Sequence, residues 1–186
     1  MNKAEDLNLA VHGLLFGVRR SIRYHNRRRS FFDRVSKFST FFSALFGTAT
    51  VASALAQAGN SWVIGFAVAV AIFSVMDLVV GTAQAARLHY DLARKFIDLE
   101  KTIISTKEPT YEDMANFKAQ RLEIEADEPP ALKVLDSICH NELLRAMGYG
   151  SNEFAKIIWY QRLFSQIIDI QEHKILTPAS DKKECT

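Results

Sequence analysis

No residue between Phe38 and Met76 carries a charge, and this constrains the fold more than anything else in the chain. The uncharged stretch is roughly twice the ~20 residues that an α-helix needs to cross a hydrocarbon core of ~30 Å. It is punctuated once, at Gln57-Ala58-Gly59-Asn60-Ser61, a polar patch rich in turn-forming residues. The run therefore divides into transmembrane helices over 38–56 and 62–80, joined by an external turn over 57–61. Helices are the expected form because lipid offers the backbone no hydrogen-bond partners. The alternative is a buried hairpin in a soluble protein, but core helices rarely run this far without a charge.

The net charge of +2 is near neutral, but its distribution is not even. Arg19, Arg20, Arg23, Arg27, Arg28, Arg29, Arg34 and Lys37 precede the first span, and Arg87, Arg94 and Lys95 follow the second. The positive-inside rule then puts both termini in the cytoplasm. Cys139 and Cys185 would lie in a reducing compartment, so no structural disulfide is expected. Lys3, Glu5 and Asp6 do not fit a signal peptide, and insertion by the spans themselves is expected.

The fold class read from these patterns is an all-α membrane protein. A two-transmembrane helical hairpin extends into a cytoplasmic helical stalk and a small C-terminal helical bundle. Residues 1–37 form a cytoplasmic N-terminal helix with an apolar stripe of Leu7, Val11, Leu14, Leu15, Val18 and Ile22, and no proline separates it from the first span. Residues 81–177 form a cytoplasmic helical domain, and 178–186 a flexible tail. The second span is expected to continue through Gly81 to about Ser105, with Leu88, Leu92, Phe96, Leu99 and Ile103 facing the N-terminal stripe. A hairpin turning near Gly59 sets Arg20 opposite Asp98 and Arg27 opposite Asp91. Thr110 with Asp113 reads as a capping box that opens a polar, largely exposed helix to about Ala126. Asp127-Glu128-Pro129-Pro130 is a break, and the next helix runs from about Ala131 to Met147 with Gly148 as its stop. A last helix, about Glu153 to Glu172, is expected to be capped by Ser151 or Asn152. Its dense apolar residues point to burial or subunit contact; the inner leaflet is the alternative, less favoured because the polar face lacks the lysines of an interfacial helix.

Catalytic signatures are missing, and no enzyme activity is expected. Cys139-His140-Asn141-Glu142 holds reactive residue types, but neighbours on a helix point apart, so Cys139 reads as a small core residue and no metal site is expected. Two patterns do suggest function. In the first span Ser39, Ser43, Thr50, Ser53 and Gln57 share one face, interrupted by Phe46, beside a ladder of Ala44, Thr48, Ala52 and Ala56. These hydroxyls either line a pore or bond back to their own helix while small residues pack. Asp77, toward the inner end of the second span, is either a cation-attracting ring in an oligomer or an interfacial carboxylate. The second pattern is a juxtamembrane cluster: Arg23, Tyr24, His25, Arg27 and Arg28 on one segment, and Arg87, His89, Tyr90 and Arg94 on the other. Arginine forks bind phosphate, and Tyr or His can stack on a base, so an anionic nucleotide or acidic partner fits; anionic lipid headgroups fit also. A nucleic acid duplex does not fit against a membrane.

Arg23-Tyr24-His25-Asn26-Arg27-Arg28-Arg29, the two spans with their short turn, and Ala86-Arg87-Leu88-His89-Tyr90-Asp91-Leu92 resemble the SLATT domain family, as does the segment from Ala131 to Glu142. The resemblance runs from about Leu14 to Ile170. It implies a pore-forming effector of bacterial anti-phage defence that depolarises the inner membrane as a homo-oligomer. The trigger it implies is a nucleotide second messenger, such as a cyclic nucleotide, or a cytosolic sensor protein; no cofactor is implied. A non-conducting membrane anchor that recruits a cytosolic partner is the alternative.

Overall fold

The computed structural model describes residues 3–56, 59–171 and Ile175. Six α-helices follow in order: α1 Lys3–Leu55, α2 Asn60–Val80, α3 Thr82–Ser105, α4 Tyr111–Ala126, α5 Lys133–Ala146 and α6 Trp159–Phe164, with a 3-10 turn at Ser151–Glu153 before α6. No strand occurs among the described residues. The chain divides into two compact units. Arg28–His89 is the hairpin unit; Met1–Arg27 with Tyr90–Thr186 is the core unit.

With no proline to remove a hydrogen bond, α1 runs unbroken for 53 residues. Part of it is long and apolar enough to cross a membrane, and only 6% of that window is buried. A core helix of a soluble protein would be mostly buried. In the hairpin unit α1 and α2 pack antiparallel through aromatic rings. Phe42 and Phe46 stack on Phe73 at 5.6 and 5.9 Å, and Phe46 meets Phe66 at 6.1 Å. Larger apolar side chains point away from this seam: Phe38, Phe41, Val51, Ile64, Ile72 and Val75 are each more than half exposed.

The helix expected to continue through Gly81 is interrupted there. α2 ends at Val80, Gly81 takes φ +58°, and α3 starts at Thr82. A left-handed residue ends the hydrogen-bond ladder, and glycine adopts that conformation without a Cβ clash. Gly81→Ala is therefore expected to destabilise the protein by about 1–2 kcal/mol. Asn, which tolerates the left-handed region, should lose less. Thermal unfolding in detergent would show this order, and equal stability of the alanine variant would count against a fixed break.

In the core unit the start of α1 and α3 run antiparallel. Arg19 Nε donates to Glu100 Oε1 at 2.7 Å, and the His25 ring stacks on Phe96 at 5.7 Å. Leu14 and Val18 meet Leu92, Phe96, Leu99 and Ile103 in one buried cluster. α4 is largely exposed, as its composition implies, and only Met114, Phe117 and Ile124 turn inward to close this cluster. The capping box forms as expected: Asp113 N–H donates to Thr110 Oγ1, and Thr110 N–H to Asp113 Oδ2. α5 buries Leu135 and Cys139 against Tyr24. Its N-terminus is held from a distance, since the Asp169 carboxylate accepts the Lys133 and Val134 N–H groups at 2.8 and 3.0 Å. Beyond α5, Gly148 turns the chain at φ +82°.

The long last helix does not form. A 3-10 turn at Ser151–Glu153 leads into extended backbone, and α6 covers only Trp159–Phe164. The cause is on α5. Asn141 Oδ1 accepts the Ala155 N–H at 2.8 Å, and Asn141 Nδ2 donates to the Ala155 carbonyl at 2.7 Å. A helix starting near Glu153 would need the Ala155 carbonyl for its own ladder, and here that carbonyl accepts from Asn141 instead. Gln161 acts similarly: its Oε1 accepts the Ile158 N–H and its Nε2 donates to the Ile170 carbonyl, each at 3.0 Å.

Candidate functional site

Several members of the expected anion-binding cluster serve the core unit itself. Tyr24 is buried, and its hydroxyl accepts the Leu132 N–H at 2.9 Å. His25 is 1% exposed, with Nε2 3.0 Å from Glu128 Oε1. Neither ring is open for stacking on a base. Arg20 and Arg27, expected to face Asp98 and Asp91, make ion pairs with Asp136 and with Glu142. Both acids lie on α5, so the N-terminal arginines tie α5 to α1.

Arg23 stands apart. It is half-buried and makes no hydrogen bond or ion pair among the described residues. With Arg19, Ile22, Glu100, Leu143, Ala146 and Met147 it lines a cleft of about 260 Å³. Arg19 in this lining is already paired with Glu100, so Arg23 beside four apolar residues is what the cleft offers an anion. The volume lies just below the usual range of about 300–1,000 Å³ for ligand clefts. Tyr90 and Arg94, on α3 of the same unit, are both exposed.

The remaining members belong to the hairpin unit. The Arg28 guanidinium sits 4.6 Å over the Phe32 ring, and Phe32 stacks on His89 at 5.8 Å. His89 is buried in this stack, whereas Arg87 is exposed.

Of the expected pore-lining hydroxyls, Ser39 is the one seen to reach across to α2. Ser39 is buried and donates to the Phe73 carbonyl at 3.0 Å. Thr50 donates to the Phe46 carbonyl one turn back, at 2.8 Å. Ser43 and Ser53 are half-buried. The neighbouring ladder points outward, with Ala44, Thr48 and Ala52 exposed. The side chain of Asp77 lies outside the described residues.

Cys139 is fully buried, and burial pushes its thiol up to about 12. Nearby, burial lowers His140 from its ordinary value, and Arg20 adds to that effect. The thiol is therefore protonated and shielded at neutral pH, which is the condition of an inert core residue. It should resist maleimide in the native protein and label fully in denaturant, as read by peptide mass. Rapid native labelling at Cys139 would reopen it as a chemical site. No group of three or more metal-ligating side chains occurs among the described residues.

The ties from Tyr24 to Leu132, His25 to Glu128 and Arg27 to Glu142 join positions more than a hundred residues apart. No local pattern announces them. The Asp169 cap on α5, across 36 positions, is likewise beyond any local pattern.

Compared with protein-family models, with curated proteins and with solved structures, the chain matches none.

Proposed function

We propose that the chain is a pore-forming membrane effector of bacterial anti-phage defence, as its resemblance to the SLATT domain implies. One observation carries the membrane part of this reading: the hairpin unit exposes large apolar side chains along both of its helices. In water such a surface is a strong drive to aggregate; in lipid it matches its surroundings. The hairpin would span the inner membrane twice, with both termini in the cytoplasm. The outward Ala44–Thr48–Ala52 ladder supports close contact between copies, since small residues let membrane helices approach. The conducting path is assigned to the edges of such contacts, near the half-buried Ser43 and Ser53, with Asp77 toward its inner mouth.

The trigger would be an anionic ligand, a nucleotide second messenger among them, held by Arg23 in the cleft beside Arg19. A ligand that binds the open assembly better than the closed one shifts the population toward opening. Ion flux from proteoliposomes tests the reading. Cells or lysate supplying the trigger should release flux from wild-type protein, and Arg23→Glu should remove at least about tenfold of the response, the loss expected when a charge-assisted contact becomes a repulsion. Asp77→Asn should lower cation preference. Flux that is never released, in protein shown to be inserted, would leave the second reading.

That second reading is a non-conducting anchor. It is favoured by the hydroxyl bonding of the first span, where Ser39, Thr48 and Thr50 already donate to backbone carbonyls.

A further inference from the structure

The segment after the 3-10 turn was expected to be buried or to meet a neighbouring subunit. The structure leaves it open. Trp159 is 75% exposed, Leu163 65%, Ile167 62% and Ile168 50%, all within ten residues. Trp159 and Leu163 are one turn apart on α6 and so share a face. The segment is not loose. Asn141 grips Ala155 on one side, Gln161 ties Ile158 to Ile170, and Asp169 is bonded to the start of α5. These bonds anchor the backbone of the segment while its large apolar side chains remain exposed.

Two bases accompany the patch. Lys156 and Arg162 are both exposed, and neither has an acidic partner among the described residues. Arg162 sits three residues from Trp159 and next to Leu163. Tryptophan with aliphatic residues and unpaired bases is the composition that lies at a membrane interface: the ring sits at headgroup depth, the aliphatics enter the acyl boundary, and the cations meet anionic lipid. A second copy of the patch fits less well, because self-pairing would bring Lys156 and Arg162 toward their own counterparts.

We propose that the surface formed by Trp159, Leu163, Ile167 and Ile168, flanked by Lys156 and Arg162, binds the face of an anionic lipid bilayer. The proposal rests on the membrane reading above and adds a second, peripheral attachment in the core unit.

The two tryptophans of the chain, Trp62 and Trp159, make the test direct. The full-length Trp62→Phe protein is reconstituted in nanodiscs of phosphatidylglycerol and phosphatidylcholine, with or without bromine on the upper acyl chain. Brominated lipid should quench Trp159 emission by about half. Lys156→Glu with Arg162→Glu should weaken that quenching by at least roughly twofold, and so should pure phosphatidylcholine. Leu163→Ser with Ile167→Ser changes only exposed positions and should reduce it without loss of fold. The matching Trp159→Phe protein reports insertion through Trp62. Quenching of Trp62 without quenching of Trp159 overturns the proposal and leaves the membrane reading standing. Quenching of neither overturns both. Protection of Trp159 that depends on the number of chains per disc, and not on bromine, assigns the patch to contact between copies and also overturns the proposal.

Discussion

Phe96→Ala is expected to destabilise the core unit by about 3–5 kcal/mol, the usual cost of emptying a buried aromatic site. Phe96 has no exposed surface and lies in the cluster built by α1, α3 and α4. One face of its ring is also covered by His25, whose imidazole stacks on it at 5.7 Å. The truncation therefore removes apolar packing and unseats the buried residue that contacts Glu128. Urea unfolding followed through Trp159 in the Trp62→Phe background would measure the loss. Phe96→Leu keeps most of the volume and should cost under about 1.5 kcal/mol. Equal midpoints for the two variants would mean that the α1–α3 seam is not the centre of stability.

Asn141→Leu is expected to cost about 2–4 kcal/mol, because it strands two backbone groups of the buried Ala155. Its effect should also be local. α5 keeps its apolar contacts, while the segment from Gly150 onward loses the bonds that hold it out of helix. Trypsin reads this well, since Lys156 and Arg162 are exposed cleavage sites within that segment. Cleavage there should accelerate by at least roughly tenfold, as local opening becomes more frequent. Asn141→Asp should fall between, since a carboxylate still accepts the Ala155 N–H but cannot donate to the carbonyl. Wild-type proteolysis rates in Asn141→Leu would show that Gln161 and Asp169 suffice to hold the segment.

These two residues mark the limit of what the sequence made legible. The uncharged run, the basic residues before it and the lack of proline were enough to read a single long N-terminal helix, and the structure shows one from Lys3 to Leu55. Thr110 and Asp113 announced their capping box three residues apart, and Pro129-Pro130 and Gly148 announced the limits of α5 within two residues. Phe96 fell on the expected apolar stripe. Such features are written in neighbouring residues, because caps, turns and helical faces depend on spacings of one to four.

The anion cluster was legible only as a set of residue types. Tyr24, His25 and Arg27 looked like ligand groups, and folding gave them Leu132, Glu128 and Glu142 as partners instead. Arg23 has none among the described residues, a difference that no spacing along the chain encodes. The last helix failed for the same reason. Its residues have ample apolar content for a helix, but Asn141 lies fourteen positions earlier and takes both hydrogen-bonding groups of Ala155. Gly81 could have been read either way, since glycine permits a left-handed turn without requiring one. The sequence by itself thus determined most of the helical segments and the long uncharged apolar run. Tertiary structure alone decided which charges were neutralised, where the helices broke and which apolar residues stayed outside, because each of those outcomes depends on groups brought together by folding.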